Sequence, residues 1–234
     1  MSQPYFQFKQ FTVRHDLCAM KVGTDGALLG AWADCSRSQC VLDVGTGSGL
    51  IALMLAQRSY ASIDAVDIDL DACRQAEINF ANSPFADRMR IFNADFRNFE
   101  PNKKYDLIVS NPPFFTDSLK SPVIARSIAR HDDSLPMETL ISKSASLLNP
   151  SGRLALIIPA NKLKAILQSE HCNLMHLCRK TYVYPLFSKP YKRILLELSL
   201  SSCDYQEDDL LIETSPGHFS DGFTRLLKDF YLHL

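Results

Sequence analysis

A chain of 234 residues with 46% hydrophobic and 22% charged residues suits one α/β domain, long enough to bury about 70–75% of its unfolded surface without metal or disulfide staples. A net charge of −1 gives no global sign of a polyanionic partner, and no apolar run approaches the ~20 residues of a membrane span. The seven cysteines (Cys18, Cys35, Cys40, Cys73, Cys172, Cys178, Cys203) include no C-x-x-C pair, and MSQPYFQFKQF lacks the apolar core of a secretion signal; both predict reduced thiols in a cytoplasm.

In chain order, residues 1–38 precede the first apolar run of strand length and form an N-terminal cap or arm to the domain of residues 39–234. CVLDV (40–44) is the first strand, GTGSG a turn, and LIALMLAQR (50–58) a helix facing a sheet. SIDAVDI (62–68) is a second strand. LDACRQAEINFAN (70–82) is a helix whose stripe reads Leu70, Cys73, Ala76, Glu77, Phe80. MRIFNADF (89–96) and YDLIVS (105–110) are the third and fourth strands. A helix over 137–148 ends at Asn149-Pro150-Ser151-Gly152, a fifth strand follows at 153–159, and another helix spans 161–170. Two more strands, 174–184 and 193–200, are joined by PLFSKPYK, too short for a crossover helix, so they run antiparallel. The alternation predicts a mostly parallel seven-stranded sheet with an antiparallel last strand and helices on both faces.

DVGTGSG (Asp43 to Gly49) lies between strand and helix, where Gly45, Gly47 and Gly49 let a ligand approach bare main chain. A dinucleotide loop wants G-x-G-x-x-G, but the third position here is Leu50. The D-x-G-x-G-x-G spacing resembles instead the S-adenosylmethionine loop of class I methyltransferases. Asp67, followed by Ile68, ends the second strand about 20 residues on, where a carboxylate can hold ribose hydroxyls. Asp95, beside the backbone of Phe96, ends the third; it can read an adenine edge or simply cap a turn. The fourth strand ends in SNPPFF, with Asn111 before two prolines. In a parallel sheet all four corners share one edge.

At the fourth corner, the Asn111 side-chain oxygen and the Pro112 carbonyl form a rigid pair of acceptors for an exocyclic amine, with Phe114 or Phe115 to stack on its ring. With the glycine loop, this motif resembles the amino-methyltransferases that carry (Asn/Asp/Ser)-Pro-Pro-(Tyr/Phe/Trp), over roughly residues 40–160. The resemblance implies a Rossmann-like fold and S-adenosylmethionine as methyl donor. FKQFTVRHDLCAMKVGTDGALLGAWA (Phe8 to Ala33) and KPYKRILLE (189–197) are similar to the bacterial tRNA(Val) adenine-N6 methyltransferases, which modify the adenosine 3′ of the anticodon, position 37. In such folds the segment before the first strand closes over the cofactor, so Thr24 and Asp25 either touch its methionine end or only belong to a helix start.

Local charge agrees with an RNA partner. No acidic residue lies between Glu170 and Glu197, a stretch holding Arg179, Lys180, Lys189, Lys192 and Arg193 among Tyr182, Tyr184, Phe187 and Tyr191. Lys120, Arg126 and Arg130 follow SNPPFF, and Lys9, Arg14 and Lys21 lie in the arm. The acidic stretch 204–213 is expected to face away. The expected protein is a monomeric cytoplasmic enzyme without metal, acting on the tRNA anticodon stem-loop; rRNA guanine N2 and a protein glutamine amide are the rival substrates, and a non-catalytic cofactor-binding module is the rival class.

Overall fold

The computed structural model describes residues 3–18, 20–113, 135–170 and 172–234. The chain starts with a small hairpin, β1 (Tyr5–Gln7) against β2 (Thr12–Arg14), followed by α1 (Thr24–Trp32). This N-terminal part is not a loose arm. Phe8, Phe11, Val13, Leu28 and Leu29 are buried in the same apolar cluster as one face of the main sheet. A Cβ on Gly30 would meet Met54 at 2.8–2.9 Å, so the glycine lets α1 press against α2 (Leu50–Arg58).

The main sheet is built on β3 (Cys40–Val44), β4 (Ser62–Asp67), β5 (Met89–Asn93), β6 (Tyr105–Ser110) and β7 (Leu148–Pro159), paired in parallel in the order β5-β4-β3-β6-β7. The central strands read as near-continuous apolar runs because both faces are covered. One face carries α1, α2 and α3 (Leu70–Ala81); the other carries α4 (Met137–Leu147) and α5 (Leu163–Leu167), whose Leu140, Ile141 and Ile166 pack beside Leu42, Val44 and Ile108. Beyond β7 the sheet turns antiparallel: β9 (Arg193–Ser199) runs against both β7 and β8 (His176–Leu186).

These are the seven strands expected, with the last of them antiparallel. Two more extend the sheet. β10 (Gln206–Ser215) pairs in parallel with β8, β11 (His218–Phe219) closes the edge, and α6 (Asp221–Leu227) packs back on β10. The acidic stretch expected to face away is therefore an integral strand. Two of its acids pair with β8, where Lys180 Nζ lies 2.9 Å from Glu207 and Arg179 lies 3.9 Å from Asp208.

Four further expectations are corrected. The helix over 161–170 is only a 3-10 turn (Ala160–Lys162) and the five residues of α5; Ser169 Oγ then accepts from Cys172 N at 3.2 Å and starts a different turn. Asn149-Pro150-Ser151-Gly152 does not separate helix from strand, since β7 already begins at Leu148 and absorbs those residues as a register shift against β6. The buried stripe of α3 is Ala72, Cys73, Gln75, Ala76, Asn79 and Phe80, leaving Leu70 and Glu77 exposed. Cys178 and Cys203 are joined as a disulfide with Cα atoms 5.5 Å apart, because the chain returning to β10 passes beside β8; Cys18, Cys35, Cys40, Cys73 and Cys172 remain free.

Candidate active site

The carboxyl ends of β3, β4, β5 and β6 share one edge of the sheet, and the predicted corners gather there. Asp43 is fully buried at the end of β3. Its Oδ2 accepts from Thr46 Oγ1 at 2.7 Å and Ala52 N at 3.1 Å, while Oδ1 is buried with no partner. Burial pushes its carboxyl up to about 7, against the opposing effect of those two hydrogen bonds.

The loop after Asp43 is tied to β4: Gly45 N donates to Val66 O at 2.8 Å and Gly47 N to Asp67 Oδ2 at 2.8 Å. Gly45, Gly47 and Gly49 all have positive φ, at 69°, 56° and 81°, which suits glycine alone. Their roles differ. A Cβ at Gly45 or Gly47 would meet nothing within 4 Å, whereas one at Gly49 would lie 2.5 Å from the Phe80 ring. The first two border open space, and the third seats α2 against α3.

Asp67 accepts on both oxygens, from Gly47 N and from Asp69 N at 2.9 Å, and burial raises its pKa. Asn93 Nδ2 donates to the carbonyls of Asp67 and Ile68 at 3.2 and 3.1 Å, fixing that strand end. Asp95 caps a 3-10 turn by accepting from Arg97 N at 2.9 Å and pairs with the Arg97 guanidinium at 2.7 Å, which holds its carboxyl below the usual range. The Phe96 ring is buried in the core, so only its main chain is available at this edge.

At the fourth corner Ser110 Oγ donates to Val44 O at 2.8 Å, locking the end of β6 to that of β3. Asn111 follows, partly exposed and, among the described residues, without a hydrogen-bond partner; Pro112 is buried and Pro113 exposed. A hollow of about 320 Å³ is lined by Pro112 and Pro113, with Met137, Lys162 and Ile166 among its other walls. Phe114, Phe115, Lys120, Arg126 and Arg130 lie outside the described residues.

The remaining candidates divide sharply. Asp25, in the first turn of α1, accepts from Arg193 Nε at 2.7 Å, so these two form an ion pair between α1 and the start of β9. Thr24 begins α1, exposed, and Lys21 is exposed just before it. Lys189 and Lys192 are exposed on the β8–β9 turn and, among the described residues, make no ion pair. Phe187 on that turn is 85% exposed, and Tyr191 packs on Tyr182 and Tyr184. Arg179 instead stacks on Trp32 at 4.2 Å, and with Lys180 serves the β10 contact, so neither belongs to a free basic surface. In the arm, Arg14 pairs with Asp16 at 3.3 Å and Lys9 Nζ donates to Lys228 O at 2.6 Å.

Three residues that shape the site escaped the sequence reading: Thr46, which holds Asp43, and Gln75 and Asn79 of α3, which are buried and hydrogen-bond the arm. The sequence carried no signal for the two amides, since Gln75 and Asn79 fall outside the apolar stripe read for that helix.

The residues along this edge fit the methyl donor expected from the loop. The unpartnered Asp43 Oδ1 suits an ammonium group, Asp67 a pair of hydroxyls, and the bare main chain at Gly45 and Gly47 leaves space for a ligand. A family model described as "Methyltransferase small domain" matches residues 19–184. In fold, the chain resembles a protein of Agrobacterium tumefaciens described as a predicted O-methyltransferase (TM-score 0.70, 18% identity, covering 88% of this chain and 96% of that one). It also resembles a ribosomal protein L11 methylase of Lactobacillus delbrueckii (TM-score 0.57, 22% identity, covering 80% and 83%). Two proteins named tRNA1(Val) (adenine(37)-N6)-methyltransferase align over nearly all of both chains: that of Parabacteroides distasonis at 49% identity, covering 100% of each, and that of Trichodesmium erythraeum at 45%, covering 97% of each. With identity of that order over essentially the whole length of both chains, the chain belongs to the tRNA1(Val) (adenine(37)-N6)-methyltransferase family.

Proposed function

We propose that this protein transfers a methyl group from S-adenosylmethionine to N6 of adenosine 37 in tRNA1(Val). The observation that carries the reading is the Asn111-Pro112 corner, placed by the Ser110–Val44 bond on the same edge as the glycine cradle. Bound S-adenosylmethionine supplies an electrophilic methyl group on a sulfonium. Asp43 Oδ1 holds the donor's ammonium, Asp67 its ribose, and the strand end at Asp95–Phe96 borders its adenine. Asn111 Oδ1 and the Pro112 carbonyl accept the two N–H bonds of the target amine, which localises its lone pair and aims it along the line of displacement. Methyl transfer would break the donor's S–CH3 bond as the N–CH3 bond forms, leaving a neutral thioether and a positively charged, acidic nitrogen whose proton would pass to water without a dedicated base. Phe114 or Phe115 stacks on the flipped base, and an unpaired loop base costs less to extrude than a paired one.

Lys189 and Lys192 on the exposed turn, with Lys21, Arg126, Arg130 and Arg193, form the proposed phosphate-contacting set. Arg193 does so only as the outer face of its pair with Asp25, whose link positions α1, and with it Thr24, at the cofactor's methionine end. Among the described residues, no helix is long and apolar enough to cross a membrane; with a tRNA substrate, we place the protein in the cytoplasm as a monomer without metal. Nucleoside mass spectrometry of tRNA from a deletion strain tests the reading: N6-methyladenosine should vanish from tRNA1(Val) and return with the wild-type gene. Methylation of rRNA guanine N2 or of a protein glutamine by the purified enzyme, with tRNA untouched, would refute it.

A further inference from the structure

Two buried amides of α3 hold the N-terminal hairpin against the glycine loop. Asn79, 2% exposed, accepts from Arg14 N on Oδ1 at 2.9 Å and donates from Nδ2 to Arg14 O at 2.8 Å, the two-point pairing that a neighbouring strand would give β2. The same Nδ2 donates to Ser48 O at 2.7 Å, inside the glycine loop. One turn earlier, fully buried Gln75 accepts on Oε1 from Leu17 N at 2.9 Å. A single amide thus bonds both the main chain entering the arm and the loop that cradles the donor. Ser48 follows Gly47, whose N donates to Asp67 Oδ2 at 2.8 Å, so the clip meets the loop one residue from the ribose-side carboxylate; the Cys18 thiol just beyond Leu17, pushed up to about 12 by burial first and then by the charges of Asp67 and Asp69, agrees with that placement. Neither amide is needed to make α3, since side-chain bonds to another segment add nothing to a helix, and a buried amide costs desolvation that only its partners offset.

We propose that Asn79, assisted by Gln75, is a positioning residue for the cofactor: it clips Arg14–Cys18 to the glycine loop beside Asp67, so that this segment walls the ribose side and the donor leaves only when the clip opens. The inference rests on the methyl-donor reading above and adds the element that governs donor retention. Both donor hydrogens of Nδ2 face carbonyl oxygens, so an aspartate at 79 would set oxygen against oxygen, and a leucine would fill the volume with no bonds.

The test uses full-length protein and S-adenosylhomocysteine, with calorimetry for affinity and stopped-flow for release. Asn79→Leu and Asn79→Asp should raise Kd about ten-fold, the scale of one or two lost buried hydrogen bonds, and speed release in proportion. Leu17→Pro removes the donor to Gln75 at an exposed position and leaves α3 whole, so it decides the matter if the Asn79 variants fail to fold; it should raise Kd in the same direction. In methyl transfer, KM for the donor should rise more than kcat falls, and KM for tRNA should stay put, a split that general loosening of the fold would not give. Folded variants with wild-type Kd and release rate would overturn the clip while the wild type still binds. A wild-type protein that binds no S-adenosylhomocysteine would overturn the donor reading itself.

Discussion

Alanine at Gly47 and alanine at Gly49 should fail in opposite ways, although the two positions are two residues apart in one motif and both have positive φ. Forcing an alanine into the left-handed region costs about 1–2 kcal/mol at either site. At Gly49 the new methyl would also lie 2.5 Å from Phe80 Cε1 and 3.4 Å from Ala76 Cβ. Phe80 is 4% exposed and cannot swing into solvent, so relief requires moving α2 against α3. Overpacking of that kind adds about 1–3 kcal/mol. The sum, about 2–5 kcal/mol, lowers the melting temperature of a chain this size by roughly 4–20 °C. Gly47→Ala should lower it by only a few degrees, because its Cβ meets nothing within 4 Å. That same methyl projects into the space assigned to the donor, so affinity for S-adenosylhomocysteine should drop more than about ten-fold, as expected when a ligand loses close approach to the main chain. Thermal melts of the ligand-free proteins and calorimetric titrations separate the two effects. If Gly47→Ala binds as tightly as wild type, the open face of the loop is not a ligand surface. If Gly49→Ala melts with Gly47→Ala, the Phe80 contact does not govern α2 packing.

Other outcomes follow from the site's charges. Asp43, with its pKa raised from 3.8 to about 7, favours the ligand-free fold fully below pH 3.8, and that contribution is lost as pH rises toward and through 7. Donor binding runs the other way, because the ammonium needs the anion: Kd for S-adenosylhomocysteine should rise up to about ten-fold per unit as pH falls below 7, and a flat profile in the wild type or a steep one in Asp43→Asn would refute the pairing. Asn111→Ala should lower kcat by about 10²-fold or more with donor affinity nearly unchanged, since the lost acceptor acts during transfer; near-wild-type turnover would remove Asn111 from the mechanism. Replacing Lys189 and Lys192 together by alanine should weaken tRNA binding and flatten its log–log salt dependence by about 1.5 units, leaving donor affinity intact; an unchanged slope would mean that the β8–β9 turn does not meet phosphate.

What the amino-acid sequence determined here is whatever depends on local order along the chain. Apolar runs that must be covered on both faces mark β3, β4 and β6 to the residue or nearly so, and three glycines in alternate positions can only make a turn that other residues would strain. Because parallel strands all end on one edge, Asp43, Asp67 and Asn111 meet without any knowledge of distances. What the tertiary structure alone decided are pairings between segments far apart in sequence. The run of cations at 179–193 reads as one basic surface, but a strand pairs with whatever edge its neighbours leave open, and β10 brings Glu207 and Asp208 to Lys180 and Arg179. Arg193 is drawn off by Asp25, 168 residues away, so Lys189 and Lys192 remain on the turn. Gln75 and Asn79 lie outside the apolar stripe read for α3; they are buried because the hairpin from the start of the chain folds back over them, and a helical period cannot reveal which backbone will arrive to satisfy a buried amide.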